Sequence, residues 1–450
     1  GVKMNTQQDQ NLSESEEKDK EYISVVTCDM EGRIETFGEG ATKIFGYSPE
    51  EVIGKKRVSA FSPGKVVLGH VNTWLKTACE KGEFETDTTF IHKDGHSIPA
   101  HIRITPTFSI VDGVKTQIGY CGKTKVLEGV DPKTTMPKDP WWIKMLSALV
   151  ITRLPFLSAT WIPVILGAVW AFNGGIANPR VFDWSLFGVV FLGASFLHLA
   201  ANTFNDYFDW QAGTDQANND YFLQYTGGSR AIELGIITEK GLFRLASSFI
   251  VLAAVCGIAV MFGPWSRGLD LLYYAAAGAL GGFFYTAPPL KLSARRGLGE
   301  LTIGLLFGPV LTMGTVYALT GIHSQAAFLV GIPVGLLTIS ILWVNEFPDV
   351  PSDIATGKVH LVAALGIKNA RWGYLTLMAA CFVVIYLLYQ NGVVNQGALL
   401  SLIVLPAAAY LTYRVFSDYD KRELAKTCAN TIYFQMVAGL LLILGISLLG

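Results

Sequence analysis

From Trp141 onward the chain carries nine long apolar runs, near residues 150–172, 184–204, 245–263, 269–286, 301–320, 325–344, 373–390, 397–413 and 430–449. A helix that crosses the hydrocarbon core of a bilayer needs about 20 mostly apolar residues. Only helices and closed barrels satisfy every backbone polar group in that medium. Runs of this length predict an all-α polytopic bundle of nine transmembrane helices. Gly and Pro within them are compatible with this reading, because neighbouring helices satisfy the backbone groups they free. Charge is distributed to match: residues 1–140 hold 18 basic and 21 acidic side chains, whereas the more than twice as long remainder holds 17 and 15. With 16% charged residues overall, against about 25% in soluble domains, a single soluble globule is excluded. A net charge of −1 leaves no electrostatic footprint for nucleic acid.

Positive charge alternates between the connections. Lys144 and Arg153 stand at the first span. Arg230, Lys240 and Arg244 lie between spans two and three, and Lys291, Arg295 and Arg296 between four and five. Lys358, Lys368 and Arg371 lie between six and seven, and Arg414, Lys421, Arg422 and Lys426 between eight and nine. The opposite connections keep only Arg180 and Arg267. This split of 15 against 2 predicts a cytoplasmic N-terminus and an outside C-terminus by the positive-inside rule. The charged loops are then expected to face the cytoplasm of a bacterial or archaeal cell.

Residues 1–20 are polar throughout, so no secretory leader is expected there and disorder is. Cys28, Cys79, Cys121, Cys256, Cys381 and Cys428 contain no C-x-x-C spacing and are expected to be reduced thiols. Residues 21–126 alternate like a small soluble α+β domain. Ser48-Pro49-Glu50-Glu51 has capping-box spacing with Pro at the first helical position. A longer helix is expected over 65–81. Strands are expected near 83–92, 97–108 and 114–125, with turns at Asp94-Gly95 and Asp112-Gly113. In this order the phrases GYSPEEVIG (46–54), HKDGHSIPAHI (92–102) and VDGVKTQIGYCGKTK (111–125) resemble a PAS sensory domain. The resemblance implies a ligand, a cofactor or a dimer contact. His70 falls where haem-binding members carry their iron ligand, so two readings stand: haem, or a partly exposed helix residue. Residues 127–140, with Pro132, Pro137 and Pro140, read as a stiff linker, and Trp141-Trp142 as an interfacial anchor.

Two groups of carboxylates interrupt the apolar part, where buried charge is costly and marks function. One is Asn205-Asp206-Tyr207-Phe208-Asp209 followed by Asp215, at the end of span two. The other is Asn345-Glu346-Phe347-Pro348-Asp349-Val350-Pro351-Ser352-Asp353, at the end of span six. On a helix Asn205 and Asp209 share a face, as do Asn345, Asp349 and Asp353. Gly213 is expected to end the first helix and Pro351 to distort the second. Oxygen donors without His or Cys suit a hard divalent cation such as Mg²⁺ or Ca²⁺. The competing reading is solvated acids at helix ends, which one cluster alone would favour. Two on the same side, each led by Asn, argue for the cation and a phosphorylated ligand.

This arrangement closely resembles the UbiA superfamily of intramembrane prenyltransferases, over residues 141–450. The resemblance implies that Asn205, Asp209, Asp215, Asp349 and Asp353 bind Mg²⁺ and the diphosphate of a polyprenyl donor, with Asn345 accompanying the second motif. Asp206 fits the extended motif less firmly. Thr226-Gly227-Gly228-Ser229-Arg230, Tyr285-Thr286-Ala287-Pro288-Pro289-Leu290-Lys291, Gly297-Leu298-Gly299-Glu300-Leu301 and Gly357-Lys358 are similar to the menaquinone branch. That likeness implies an aromatic quinone precursor such as 1,4-dihydroxy-2-naphthoate as acceptor. Glu346 and Pro348, with Val359-His360, depart from that branch's usual motifs. Arg230, Lys291 and Lys358 are candidates to bind the departing diphosphate, Arg as a fork and Lys as a point charge; each also satisfies the positive-inside pattern without further role. Tyr285 either lines the site or anchors the interface. His198 reads as a hydrogen-bonded helix residue, and Gly278, Gly281 and Gly282 as close helix contacts.

Two classes of function are compatible with these residues. The first is a Mg²⁺-dependent prenyltransferase in the lipid bilayer, tuned by its PAS domain. The second is a membrane sensor or transporter with ion-binding acidic clusters; the absence of a kinase, cyclase or DNA-binding segment after the PAS-like part argues against it.

Overall fold

A computed structural model describes residues 22–212, 232 and 237–449. The chain divides into two compact units, one through residue 148 and one from residue 149. The N-terminal unit is a five-stranded antiparallel sheet in the order β2-β1-β5-β4-β3. Its strands are β1 (Ser24–Asp29), β2 (Ile34–Phe37), β3 (Phe84–Ile91), β4 (Ser97–Val111) and β5 (Val114–Val126), with helices α1 (Glu39–Phe45) and α2 (Asn72–Lys81) between β2 and β3. Both expected turns are present, with Gly95 at φ 97° and the pair Asp112 and Gly113 at φ 53° and 78°. The left-handed pair matches the twist of a tight hairpin. The expected capping box closes as well, the Ser48 N–H donating to Glu51 Oε2 at 2.8 Å. Ile34, Phe37, Phe45 and Phe61 form the core under α1.

The stretch read as a linker is only partly one. Pro132–Thr135 forms a helical turn whose Thr135 is buried. Thr89 of β3 donates to the Pro132 carbonyl at 2.6 Å and lies 2.8 Å from the Thr135 hydroxyl, so these residues belong to the sheet unit. Trp141 is 88% exposed.

The second unit is a helical bundle: α3 (Ser158–Trp170), α4 (Trp184–Ala212), α5 (Glu239–Phe262), α6 (Leu271–Phe284), α7 (Leu298–Thr320), α8 (Ile332–Ala355), the short α9 (Leu361–Leu365), α10 (Ile367–Gln390), α11 (Gln396–Asp418) and α12 (Leu424–Leu448). Among the described residues, seven helices are long and apolar enough to cross a membrane: α4, α5, α7, a span over Gln325–Pro351 that includes most of α8, and α10 to α12. The nine expected by hydropathy are therefore not all long helices. The first run is broken where Arg153 enters the left-handed region at φ 50° and a 3₁₀ turn covers Leu154–Leu157, leaving 13 residues for α3. The fourth ends after 14 residues, ahead of the Thr286–Pro289 turn.

Large side chains and glycines divide the packing between them. Leu166, Val334, Trp343, Tyr374 and Phe382 lie in one buried cluster, with the Trp343 indole donating to the Ala370 carbonyl at 2.7 Å. Glycine is required where backbones touch: a Cβ on Gly335 would lie 2.3 Å from the Gly304 carbonyl oxygen, and one on Gly445 1.9 Å from that of Gly397. Such contact holds helices together where no water is displaced. Gly278, Gly281 and Gly282 make the expected approaches, a Cβ on each falling 2.5–3.0 Å from Leu197, Leu306 or Ala201.

Candidate active site

The last turns of α4 and α8 bring polar side chains into one cavity of about 240 Å³. From α4 come Asn205 and Asp209, one helical turn apart; from α8 come Asn345, Asp349 and Asp353, each four residues from the next. Pro348 and Pro351 do not end α8, which continues through both to Ala355. The continuous helix keeps Asn345, Asp349 and Asp353 on one element. Tyr285, Lys358 and His360 line the same end. The rest of the wall combines apolar side chains, Leu197, Ile303, Leu306, Phe307, Leu311 and Ile341, with polar ones that include Arg153, Thr160, His198, Asn202 and Thr338.

Electrostatics tie these residues together. Lys358 Nζ lies 3.7 Å from Asp209 Oδ2, their side chains 19% and 16% exposed. Burial works against the charge on Lys358, but Asp209 and Asp353 outweigh it and hold the ammonium above the usual lysine range. The loop carrying Lys358 is anchored by its own N–H, which donates to the Asp353 carbonyl at 2.8 Å. Asn205 Oδ1 accepts from the Thr286 hydroxyl at 3.0 Å.

Mg²⁺ can be tested against this donor set. Among the described residues Asn345 Oδ1 is buried with no hydrogen-bond partner, and leaving such an oxygen unsatisfied costs about 1–3 kcal/mol. It stands in a cavity that the carboxylates of Asp209, Asp349 and Asp353 also line. Three carboxylates together with an orphaned amide oxygen suit a hard cation. The residues fit.

Other expectations separate here. Asp206 does not line the cavity; it is 2% exposed and its Oδ1 lies 3.2 Å from Arg153 Nη2. Arg153 also donates to the Asn202 carbonyl at 3.2 Å. Lys291 is not brought into the site: it is exposed, at φ 42°, and points from the turn after α6 without lining the cavity. Arg230 and Asp215, with the stretch 226–230, lie outside the described residues. His198 is buried and 2.7 Å from the Thr160 hydroxyl through Nδ1, the hydrogen-bonded helix residue expected. Sequence reasoning missed Glu300 and the pairing of Glu346 with His360, whose Nδ1 and Oε2 are 2.7 Å apart. The signal available was an acid within each of two apolar helices, Glu300 near the start of one and Glu346 within the other.

The protein-family comparison matches the UbiA prenyltransferase family over residues 160–437. The chain belongs to the UbiA prenyltransferase family. It is thus a prenyltransferase of the membrane, and residues 22–121 match a PAS domain. Within the family it is similar to 1,4-dihydroxy-2-naphthoate octaprenyltransferase of Bacillus subtilis, 30% identical over 251 residues, 55% of this chain and 73% of that protein. It is also similar to UbiA prenyltransferase domain-containing protein 1 of Dictyostelium discoideum, 26% identical over 59% of this chain and 77% of that one. Among solved structures, a UbiA homolog from Archaeoglobus fulgidus bound to GPP and Mg²⁺ aligns with TM-score 0.47 at 13% identity, covering 66% of this chain and 99% of that one.

The PAS domain has a cavity of about 120 Å³, lined by Val26, Cys28, Phe45, Phe61, Trp74 and Tyr120 among others. His70 does not line it; its Nε2 lies 3.1 Å from the Lys138 carbonyl and its ring stacks on Trp74. The haem reading of His70 therefore gives way to the alternative, a half-buried helix residue engaged by its own domain. Burial pushes the Cys28 thiol up to about 12, which leaves no reactive thiolate in the cavity.

Proposed function

We propose that this chain transfers a polyprenyl group from its allylic diphosphate to an aromatic quinone precursor of the 1,4-dihydroxy-2-naphthoate class. The observation that carries the reading is the convergence of Asp209, Asp349, Asp353 and Lys358 in a cavity that Leu197, Leu306, Phe307 and Ile341 also line. A charged diphosphate and a hydrocarbon chain need those two environments within one ligand's length. Asn205, Asp209, Asn345, Asp349 and Asp353 would hold Mg²⁺, with Asp215 and Arg230 assigned to the same site by sequence. Bound there, Mg²⁺ supplies positive charge to the diphosphate as it departs. Lys358 adds a second charge from the loop that follows α8. Leu306, Phe307 and Ile341 exclude water from the allylic carbon while the electron-rich ring attacks, and Tyr285 stands at the boundary between polar and apolar walls. The acceptor class is supported by the similarity to the Bacillus subtilis enzyme, whose name specifies it.

The same reading takes α3 and α6 as two shorter spans that complete nine, and sets the PAS domain and active-site loops on the cytoplasmic face. The PAS domain tunes the activity, and the apolar hairpin tip at Phe108, Ile110, Val111 and Val114, each 48–77% exposed, supports a dimer contact. The deciding experiment incubates purified protein with labelled geranyl or longer prenyl diphosphates and a panel of aromatic acceptors, with Mg²⁺ or with EDTA. Mg²⁺-dependent labelling of a dihydroxynaphthoate is expected. Labelling of other acceptors only would overturn the acceptor class, and ion flux without transfer would favour a transporter.

A further inference from the structure

The carboxylate of Asp353 is itself held from behind. Its Oδ2 lies 3.0 Å from His360 Nε2, and the other ring nitrogen lies 2.7 Å from Glu346 Oε2. The Ala363 N–H also points at His360 Nδ1, at 3.1 Å, capping α9, and Glu300 Oε1 accepts the neighbouring Leu361 N–H at 2.9 Å. None of the four side chains sits in water: Glu300, Glu346, Asp353 and His360 are between 2% and 6% exposed. Acids buried this deeply are retained where partners hold them. The imidazole therefore touches α8 twice, at Glu346 and at Asp353, and meets the first turn of α9, whose Leu361 N–H is held by Glu300 at the start of α7.

We propose that His360 is a positioning residue for the cation site: backed by Glu346, it occupies Asp353 Oδ2 and leaves Oδ1 to face the cation. It does a second thing through the backbone. By capping α9 it ends the loop 356–360, so the segment between Asp353 and His360 that carries Lys358 is fixed at both ends. The inference rests on the proposed diphosphate chemistry for the identity of the cation. Partners that orient a metal's ligands typically change metal affinity or activity by roughly 10–100-fold when removed.

The test uses the full-length protein in detergent, with Mn²⁺ as the paramagnetic probe and inorganic pyrophosphate as co-ligand. Free Mn²⁺ is followed by electron paramagnetic resonance for wild type, His360→Ala, His360→Gln and Glu346→Gln, and each variant is also melted in EDTA. His360→Ala is expected to weaken Mn²⁺ binding roughly 10–100-fold. His360→Gln, whose amide can still donate to Asp353, recovers part of that loss, and Glu346→Gln weakens binding less than His360→Ala. Unchanged Mn²⁺ affinity in the folded variants, with only the melting temperature lowered, makes the cluster a helix cap and overturns the proposal. If His360→Ala does not fold, unchanged affinity in both Gln variants does the same. Elemental analysis showing a metal in the EDTA-treated wild type that Glu300→Gln and Glu346→Gln both lose would overturn it differently, by making the cluster a cation site of its own. A wild type that binds no Mn²⁺ removes the proposed function itself, an outcome distinct from wild-type binding that the variants leave intact.

Discussion

Lys358→Met tests whether the ammonium acts on the leaving group or merely obeys the positive-inside pattern. Met keeps most of the stem and removes the charge, so the packing loss is small. Lys358 Nζ sits 3.7 Å from Asp209 Oδ2, and both side chains are less than a fifth exposed. Two unit charges at about 4 Å interact by about 4 kcal/mol at an effective dielectric near 20. That attraction explains why the ammonium stays in the cavity despite its desolvation. A departing diphosphate gains charge within the same cavity, so the ammonium stabilises the transition state by an energy of similar order. Removing one fixed donor of this kind costs about 2.7–4 kcal/mol, or roughly 10²–10³ in kcat. Because the charge on the leaving group grows during ionisation, the loss is expected in kcat with little change in KM. The assay is transfer from labelled geranyl diphosphate at saturating Mg²⁺, with Lys358→Arg as the variant that restores charge and part of the rate. Turnover near the wild-type value in Lys358→Met would show that Lys358 contributes no leaving-group stabilisation.

Asp209→Asn and Asp353→Asn are each expected to nearly abolish transfer while the protein still expresses, because metal ligands act as a unit; normal turnover in both at saturating Mg²⁺ would sink the assignment. Asp206→Asn should instead lower the melting temperature, since removing one partner of the buried pair with Arg153 costs about 3–5 kcal/mol. An unchanged melt would contradict the structural role given to that pair. A reporter active only outside the cytoplasm, fused after Gly450, is expected to give signal, whereas signal from a cytoplasm-only reporter there would reverse the orientation. A chain lacking residues 1–126 should retain transfer and acceptor preference with altered rate, because a separate domain influences the bundle only through differential affinity for its states. Loss of catalysis in a well-folded truncation, or a switched preference measured as ratios of kcat/KM, would give the PAS domain a direct part in the active site.

The acids of the cavity are legible in the sequence because local pattern is enough to find them. A carboxylate in an apolar run is conspicuous, and four-residue spacing by itself puts Asn345, Asp349 and Asp353 on one helical face. What spacing cannot do is separate Asp209 from Asp206. The two are three residues apart, so both fall near the same face, and the difference between them is Arg153, 53 positions upstream in a left-handed turn. Hydropathy has the complementary weakness. It averages over residues that are apolar whether or not the helix is continuous, so it is blind to the break at Arg153–Leu157 and to the shortness of α6. Lys291 shows the limit for loops: its place in the stretch 285–291 singles it out in sequence, but the turn after Thr286 leaves it exposed.

Glu346 and His360 carry the argument one step further. In sequence each looks like a separate departure from a motif, an acid and an imidazole fourteen positions apart with no periodic relation. In the structure they are one contact, 2.7 Å long and buried. Introduced alone, either would leave a polar group in a dry interior, at a cost of about 1–3 kcal/mol or more for a charged one. Together they stand at ion-pair distance, and His360 still has Nε2 left for Asp353. Paired change at this position is therefore what burial requires of a site whose acids must stay ionised for a cation, and Glu346→Gln alone is expected to disturb Asp353 even though it never touches it.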